Sequence, residues 1–320
     1  MSVSIRTKAL SALSVFFWLT VLILANFFAQ TPQPSPTPSP EASPSASPTP
    51  SPVRVPSPTP TPLPGAQNFH QWGSVTVFNG LPSDSVRAIS QTPDGVMWFG
   101  TDNGLARFDG RRIQNFSPGD AETNRVLALK TAPSGELYVG TQAGAFVYSD
   151  NRFQMVEGTK DVGITAIFAG REVFLGTDTG LVLRVSSDAG GMHSAVAVFP
   201  DPVLADGSPL SITSLIESEG KLIASTSGRG VFVVADGRIS EFTTSPRPLF
   251  VNSIEQDDNG KLWLGADAAT RFSGIYRADA GSRVSRIPAS TANVLALETS
   301  DSGLWVGTER FGIFHITDSK

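Results

Sequence analysis

One stretch of the sequence decides the fold, because it returns in whole or in part five more times. It reads Val86-Arg-Ala-Ile-Ser-Gln-Thr-Pro-Asp-Gly-Val-Met-Trp-Phe-Gly-Thr-Asp-Asn-Gly-Leu-Ala-Arg-Phe108. Its apolar runs are separated by Pro-Asp-Gly and Asp-Asn-Gly, turn sequences in which glycine supplies a positive φ. The stretch therefore predicts three β-strands joined by two tight reversals.

The six copies align on the residue that ends the second strand, which we call the glycine slot. The slot is occupied by Gly100, Gly140, Gly176, Ser225, Gly265 and Gly307. A fourth apolar run follows several copies, as at 112–116, 152–156 and 238–242. Four strands in every ~40 residues indicate the blade of a β-propeller, since a single blade cannot bury both of its faces.

Two further columns support blades that stack around an axis. Large side chains recur two residues before the glycine slot: Trp98, Tyr138, Phe174, Ile223, Trp263 and Trp305. Small side chains recur on the first strand: Ala88, Ala128, Ala166, Ser214, Ser253 and Ala296. We predict that the large column fills the space between blades and that the small column lies on the innermost strand. Carbohydrate stacking on the tryptophans is the alternative, but recurrence in every copy favours packing.

The ends of the repeat array predict how the ring closes. The sixth copy stops near Ile316, after its third strand, while an isolated strand-like run at 74–78 precedes the first copy. We expect residues 74–78 to complete the last blade, which would remove an exposed sheet edge. The predicted fold is an all-β, six-bladed propeller of four-stranded antiparallel blades within residues 66–320. The segment 186–210 is interpreted as a long loop, although a degenerate element there is left open.

The first 65 residues form two segments of different character. Arg6 and Lys8 precede an apolar run at 9–28, which as a helix would reach ~30 Å, the thickness of a bilayer's hydrocarbon core. Residues 1–30 therefore predict a signal anchor or a cleaved signal peptide, and positive charge before the run places the rest of the chain outside the cytoplasm. Residues 31–65 hold 14 of the 24 prolines and predict a disordered, extended linker.

Composition excludes several classes of site. The chain has no cysteine, so disulfides and thiolate metal sites are excluded. Its formal net charge is −5 and the first 65 residues contribute +3 − 1 = +2, which leaves −7 on the remainder. A domain of that charge without a lysine and arginine cluster is not expected to bind nucleic acid.

Motifs for catalysis or metal binding are few. The histidines His70, His193 and His315 share no ligand spacing. Asp257-Asp-Asn-Gly260 hints at a calcium loop, but the glutamate expected at the twelfth position is missing, so a hairpin turn is the better interpretation. The sequence therefore predicts no catalytic residue, no metal and no cofactor.

One face of the propeller is the predicted binding surface. The strand order places the loops that precede each first strand, and the reversals that follow each second strand, at the same end of the blades. Polar residues of these loops are the candidate ligand-binding residues: Asp84, Asp102, Asn103, Asn124, Arg125, Asp178, Arg229, Asp267, Arg271, Glu309 and Arg310. Mixed polar groups around a concavity suit a polar small molecule, a glycan or a peptide.

The first copy resembles the two-component regulator propeller repeat. The resemblance rests on Gly80-Leu-Pro-Ser-Asp-Ser-Val86 followed by Trp98-Phe-Gly-Thr101 and Asn103-Gly-Leu105, and it extends in outline over 72–320. It implies an extracytoplasmic, non-enzymatic, ligand-sensing propeller of bacteria. No kinase or other output domain follows the propeller in this sequence, so we expect any signal to need a separate membrane signalling protein.

Two other functions on the same fold stay open. One is a propeller enzyme, either a lyase or a glycan-cleaving enzyme, which would show a cluster of histidine or carboxylate groups at the channel mouth. The other is a scaffold for protein–protein interaction, which would show a wide apolar patch away from the channel.

Overall fold

The computed structural model describes residues 74–119, 124–198, 211–235, 238–242, 248–267, 274–279, 283–286 and 292–317. All of them belong to the second of two units into which the chain divides, Gln71–Lys320. The predicted segments 1–30 and 31–65 lie outside the described residues. Across the described ranges, no helix combines the length and the apolar character that a bilayer span requires.

Twenty-three strands account for nearly all of the regular structure in these ranges. They are β1 (Val86–Gln91), β2 (Met97–Thr101), β3 (Gly104–Phe108), β4 (Ile113–Phe116), β5 (Val126–Thr131), β6 (Leu137–Thr141), β7 (Gly144–Ser149), β8 (Arg152–Met155), β9 (Ile164–Ala169), β10 (Val173–Thr177), β11 (Val182–Ser187), β12 (His193–Ala197), β13 (Ile212–Ser218), β14 (Lys221–Thr226), β15 (Val231–Ala235), β16 (Arg238–Glu241), β17 (Val251–Gln256), β18 (Leu262–Ala266), β19 (Gly274–Asp279), β20 (Arg283–Arg286), β21 (Val294–Ser300), β22 (Gly303–Thr308) and β23 (Ile313–Ile316).

The strands form six antiparallel sheets in chain order, each of which is one blade of a propeller. Blades 1 to 5 have four strands each, from β1–β4 to β17–β20, and blade 6 has the three strands β21–β23. The first strands of consecutive blades pack against one another from β1 to β21. The predicted six-bladed propeller is confirmed, and the first strand is the innermost one.

The repeated Gly-Thr-x-x-Gly sequence forms the reversal between the second and third strands. The Thr101 hydroxyl is buried and donates to the Gly104 carbonyl at 2.8 Å, and Thr141 donates to Gly144 in the same way at 2.9 Å. Gly104 adopts φ +125°, a conformation that side chains rarely adopt. The threonine therefore satisfies a buried carbonyl, and the glycine allows the chain to turn there.

The glycine slot is small because the next blade fills it. A Cβ atom added at Gly100 would lie 2.5 Å from a methyl group of Val126, and one at Gly140 would lie 2.8 Å from the carbonyl oxygen of Ile164. Each of these partners begins the first strand of the following blade. Close backbone approach between blades therefore explains why glycine recurs at this position.

As predicted, the large column packs between neighbouring blades wherever another blade follows in the chain, that is, in blades 1 to 5. Trp98 is buried and its ring lies 4.8 Å from that of Tyr148 in blade 2, centroid to centroid. Tyr138, Ile223 and Trp263 are buried as well. Trp305 in blade 6 is the exception, since 37% of its surface remains exposed. Within the described residues, no strand of blade 1 makes an extensive contact with a strand of blade 6.

The prediction that residues 74–78 form a strand of the last blade is wrong. Val77–Asn79 is a 3-10 helix, and blade 6 has three strands. The Asn79 side chain accepts from the Thr76 amide, and the Asp84 carboxylate accepts from the Val77 amide at 2.7 Å. These short polar side chains bond the backbone locally, which stabilises a turn in place of an extended strand.

The interpretation of 186–210 as a loop is wrong for its first half. Residues 193–197 form β12, the fourth strand of blade 3, which pairs with β11 from Leu183 to Ser187. Its sequence, His-Ser-Ala-Val-Ala, lacks the isoleucine or phenylalanine found in the fourth strands of blades 1, 2 and 4, so the repeat pattern does not predict it. Residues 199–210 lie outside the described ranges.

Candidate functional site

The two sets of loops chosen from the sequence lie side by side at one end of the blades. In each blade, a backbone amide just after the second strand donates to a carbonyl just before the first strand. Asp102 donates to Ser85 at 3.2 Å, and Glu309 donates to Asn293 at 3.1 Å. Gln142, Asp178, Ser227 and Asp267 make the equivalent bonds. We call this end of the propeller the loop face.

A polar cluster on the loop face joins blades 1 and 2. The Asp102 carboxylate forms ion pairs with Arg87 of its own blade and with Arg125 of blade 2, the second through Nε at 2.8 Å. The hydrogen bond from Arg87 is the main cause that holds the pKa of Asp102 below its ordinary value, and the bond from Arg125 adds to it. This carboxylate is therefore a charged bridge between two loops.

Other candidate residues form polar contacts within the loops of the loop face. Asn124 donates to the Ser117 hydroxyl at 2.8 Å, while Asn103 reaches the Pro82 carbonyl at 3.5 Å. Glu309 accepts from Asn293 at 3.2 Å and lies 4.0 Å from the Arg310 guanidinium. These contacts are local to one blade, so the structure does not bring the predicted residues into one cluster.

The remaining predicted residues are placed as follows. Asp84 accepts from the amide of the 3-10 helix, as described above, and Asp178 is an exposed residue that follows β10. Arg229 and Asp267 both have polar or electrostatic partners. Arg271 lies outside the described residues.

A second polar site, which the sequence analysis missed, lies in the central channel. A cavity of about 390 Å³ is lined by the first strands of blades 1 to 5. Its wall includes the small column at Ala88, Ala128, Ala166 and Ser214, which leaves room at the axis. Its charged lining residues are Lys130, Glu217 and Glu255.

The signal for this site was present in the repeat. The fifth residue of the first strand is Lys130 in blade 2, Glu255 in blade 5 and Glu298 in blade 6, whereas blades 3 and 4 have Phe168 and Ile216 there. The small column already places the first strand at the axis. The sequence could therefore have predicted that the charged side chains at this position face the channel.

The pKa of one channel carboxyl group, that of Glu255, is raised well above its ordinary value. Burial and, to a smaller extent, the nearby Glu298 carboxylate raise the pKa of Glu255 to about 7, while the Lys130 ammonium acts in the opposite direction. A carboxyl group that is partly protonated near neutral pH can both donate and accept hydrogen bonds. Perturbed groups of this kind in a cavity are characteristic of functional sites.

The two described histidines lie elsewhere. His193 is buried between blades 2 and 3, where its Nδ1 lies 2.9 Å from the Ser187 hydroxyl and its Nε2 lies 3.7 Å from Glu136. His315 stacks on Trp305 with ring centroids 4.3 Å apart. Neither lines the channel cavity. In the described ranges, no three His, Asp or Glu side chains are grouped so as to hold a metal ion.

A smaller cavity of about 250 Å³ lies at the hairpin-turn ends of blades 5 and 6. The predicted hairpin turn is confirmed there: Asp257 accepts from the amides of Asn259 and Lys261, and Gly260 adopts φ +76°. The other carboxylate oxygen of Asp257 accepts from the Trp263 indole at 3.0 Å. Asp257 is therefore used by the turn and by the core.

Comparison with known families identifies the repeat. Residues 80–103 match the family described as two component regulator propeller. Residues 80–103 are a two component regulator propeller repeat. The match includes the reversal before the first strand, the second strand and its glycine slot, and it confirms the resemblance found in the sequence.

Two groups are found among the solved structures similar to this propeller. One is the extracellular domain of a protein described as the hybrid two component system BT3049 from B. thetaiotaomicron, with 21% identity, a TM-score of 0.61 and 78% of this chain covered. The match spans 37% of that chain, so the present chain corresponds to about a third of its length.

The other group is enzymes. A catalytically inactive virginiamycin B lyase from Staphylococcus aureus, solved with quinupristin, is 17% identical with a TM-score of 0.59, and the match covers 73% of this chain and 81% of the lyase. At these identities both groups show a shared propeller fold. No curated protein matches the chain.

Proposed function

We propose that this chain is an extracytoplasmic, non-enzymatic binding propeller of the sensor type. The observation that carries the proposal is the regulator repeat at 80–103, set in a propeller whose channel is lined by charged side chains. The similar domain of BT3049 is an extracellular domain, which supports the same location here. The apolar run at 9–28 supplies the export signal or the anchor.

The proposed ligand site is the channel together with the loop face around its entrance. Glu217 and Glu255 supply carboxyl groups from the cavity wall, Glu298 lies near Glu255, and Lys130 supplies an ammonium donor. This balance favours a polar ligand rich in hydrogen-bond donors, such as a hydroxyl-bearing glycan or an amine-bearing peptide. The Arg87–Asp102–Arg125 cluster and the other candidate residues of the loop face are proposed to contact the outer part of that ligand.

Signal output is proposed to lie in a separate membrane signalling protein. A tether formed by residues 1–65 would hold the propeller beside such a partner at the same membrane, at a high effective concentration.

The enzyme alternative has less support than the binding function. The lyase similarity concerns the fold, and the two described histidines are engaged away from the channel, His193 between blades and His315 against Trp305. An enzyme that acts through a channel histidine would need a residue that the described first strands do not place there.

A thermal-shift screen of the full chain in detergent micelles tests the binding function. The probes are mono- and oligosaccharides and short cationic peptides. A ligand at about 100 times its Kd should raise the Tm by about 5 °C or more. The shift should be lost in Glu255→Gln and kept in Glu172→Gln, which changes an exposed carboxylate outside the channel. Shifts of equal size in both variants would place the ligand elsewhere, and no shift with any probe would count against ligand binding.

A further inference from the structure

The fifth residues of the first strands follow one another around the channel, and their charges are opposed across the axis. In blade order these residues are Ser90, Lys130, Phe168, Ile216, Glu255 and Glu298. Blades 2 and 5 are three blades apart in a ring of six, so Lys130 and Glu255 lie on opposite sides of the axis. Both line the same cavity of about 390 Å³. The cavity therefore has a positive side and a negative side.

The negative side is formed by neighbouring blades. Glu255 of blade 5 and Glu298 of blade 6 occupy the same position on β17 and β21, which pack against each other. The Glu298 carboxylate is close enough to raise the pKa of Glu255, and Glu217 adds a carboxylate to the cavity wall. A cationic group of a ligand would favour the charged form of these carboxyl groups and offset their mutual repulsion.

The positive side is Lys130, which acts on Glu255 through its charge and not through a bond. Its ammonium lowers the pKa of Glu255, but the two side chains, both of which the structure describes, form neither an ion pair nor a hydrogen bond with each other. Space therefore remains in the cavity, between the ammonium and the carboxyl group, for a ligand that contacts both.

An apolar wall lies between the two charged sides. Phe168 of blade 3 and Ile216 of blade 4 occupy the positions between Lys130 and Glu255 around the channel, and both line the cavity. Their side chains are only partly buried, so each has apolar surface left to cover. An apolar group of a ligand that packs against this wall would add hydrophobic stabilisation to the attraction between charges.

We propose that the channel binds a small zwitterion with an apolar side chain, namely an apolar amino acid or dipeptide. Its ammonium contacts Glu255 and Glu298, and its carboxylate contacts Lys130. Its side chain packs against Phe168 and Ile216. A charge-assisted hydrogen bond at each end fixes the orientation of the ligand across the axis. This inference rests on the proposed function, because it names the ligand class of the same channel site.

The test is isothermal titration calorimetry of the full chain in detergent micelles, with free leucine and the dipeptide leucyl-leucine as probes. Each probe is compared with its N-acetyl form, which lacks the ammonium, and with its C-terminal amide, which lacks the carboxylate. The variants are Glu255→Gln and Lys130→Met, which each remove one charge with little change in size. Lys221→Met is the matched control, because Lys221 is exposed and lies outside the cavity wall.

The proposal expects at least one free probe to bind, and either cap to weaken its binding by about tenfold or more, because a charge-assisted contact is lost. Lys130→Met should reduce the preference for the free carboxylate and keep that for the free ammonium. Glu255→Gln should do the reverse, and Lys221→Met should match the unmodified chain. Equal affinity of the free and capped forms would overturn the inference, as would preferences that neither channel variant changes.

Failure of this inference can be distinguished from failure of the proposed function. If a saccharide raises the Tm and the shift is lost in Glu255→Gln, while neither free probe binds, the channel site is supported and the zwitterion is the wrong ligand class. If saccharides, cationic peptides and both free probes all fail to bind, the inference and the proposed function fail together.

Discussion

Val86 and Gly307 do not form the interblade contact that the equivalent residues form between other blades. Val86 occupies the position of Val126, Ile164, Ile212, Val251 and Val294, which are fully buried, yet it is 37% exposed. The atoms nearest to a Cβ atom at Gly307 would be those of Ala296 in its own blade, from 3.6 Å outward, whereas at the other slot glycines the next blade would lie within 3 Å. Among the described residues, the propeller therefore has five close interfaces between blades and an open seam between blades 6 and 1.

The first prediction compares alanine at two glycine slots. Gly265→Ala should destabilise the protein by about 1–3 kcal/mol, because its new methyl group would lie 2.5 Å from Val294. Gly307→Ala should change stability by less than about 0.5 kcal/mol, because the seam leaves room there. Urea unfolding monitored by circular dichroism measures both. Equal losses would show that blade 1 fills the Gly307 slot in solution.

The second prediction concerns the tryptophans at the same two interfaces. Trp263 is buried between blades 5 and 6, so Trp263→Ala should cost about 3–5 kcal/mol. Trp305 faces the seam and packs mainly on His315, so Trp305→Ala should cost about 1 kcal/mol. Urea unfolding measures the free energy of unfolding of both variants. A Trp305 variant as unstable as the Trp263 variant would contradict the open seam.

The sequence predicts the blades well because each interface demands the same residues in every copy. Gly100 must be small for Val126 to approach, and Thr101 must bond the turn that follows, so both recur. Closure could not be predicted in the same way. Residues 74–78 have the apolar pattern of a fourth strand, but Thr76, Asn79 and Asp84 form local hydrogen bonds with the backbone. The apolar pattern does not show whether the strand or the locally bonded turn is more stable.

The candidate site was predicted less well, because polar residues on loops carry no repeat signal. The loop face is where strand order places it, but residues such as Asn124 and Glu309 bond within their own loops. The channel charges lie on strands at an equivalent position. Their proximity depends on which blades face one another across the axis, which the repeat count alone does not show.

The third prediction concerns Asp257, which joins a turn to the core. Asp257→Ala should cost about 2–3 kcal/mol, because it leaves the buried Trp263 indole and two turn amides without their acceptor. Asp94→Ala is the matched control, since Asp94 occupies the hairpin turn of blade 1 and bonds the Thr92 hydroxyl and the Val96 amide without an indole contact. Thermal unfolding followed by tryptophan fluorescence should rank the two variants in that order. A reversed order would show that the indole bond contributes little.

The fourth prediction follows from the raised pKa of Glu255. The folded protein raises this pKa from 4.5 to about 7, chiefly by burial and then by the neighbouring Glu298 carboxylate. Between those two values the folded state binds more protons than the unfolded state, so the contribution of Glu255 to stability falls as the pH rises from about 4.5 to about 7 and stays low above it.

Glu255→Gln removes this titration and should therefore change the shape of the stability curve. Relative to the unmodified chain, the variant should gain roughly 1–3 kcal/mol between pH 5 and pH 8. Glu172→Gln, at an exposed carboxylate outside the channel, should follow the unmodified chain throughout. Urea unfolding at several pH values measures the difference. A Glu255→Gln curve parallel to that of the unmodified chain would show that the channel carboxyl is ionised at little cost, because water or the Lys130 ammonium already compensates its charge.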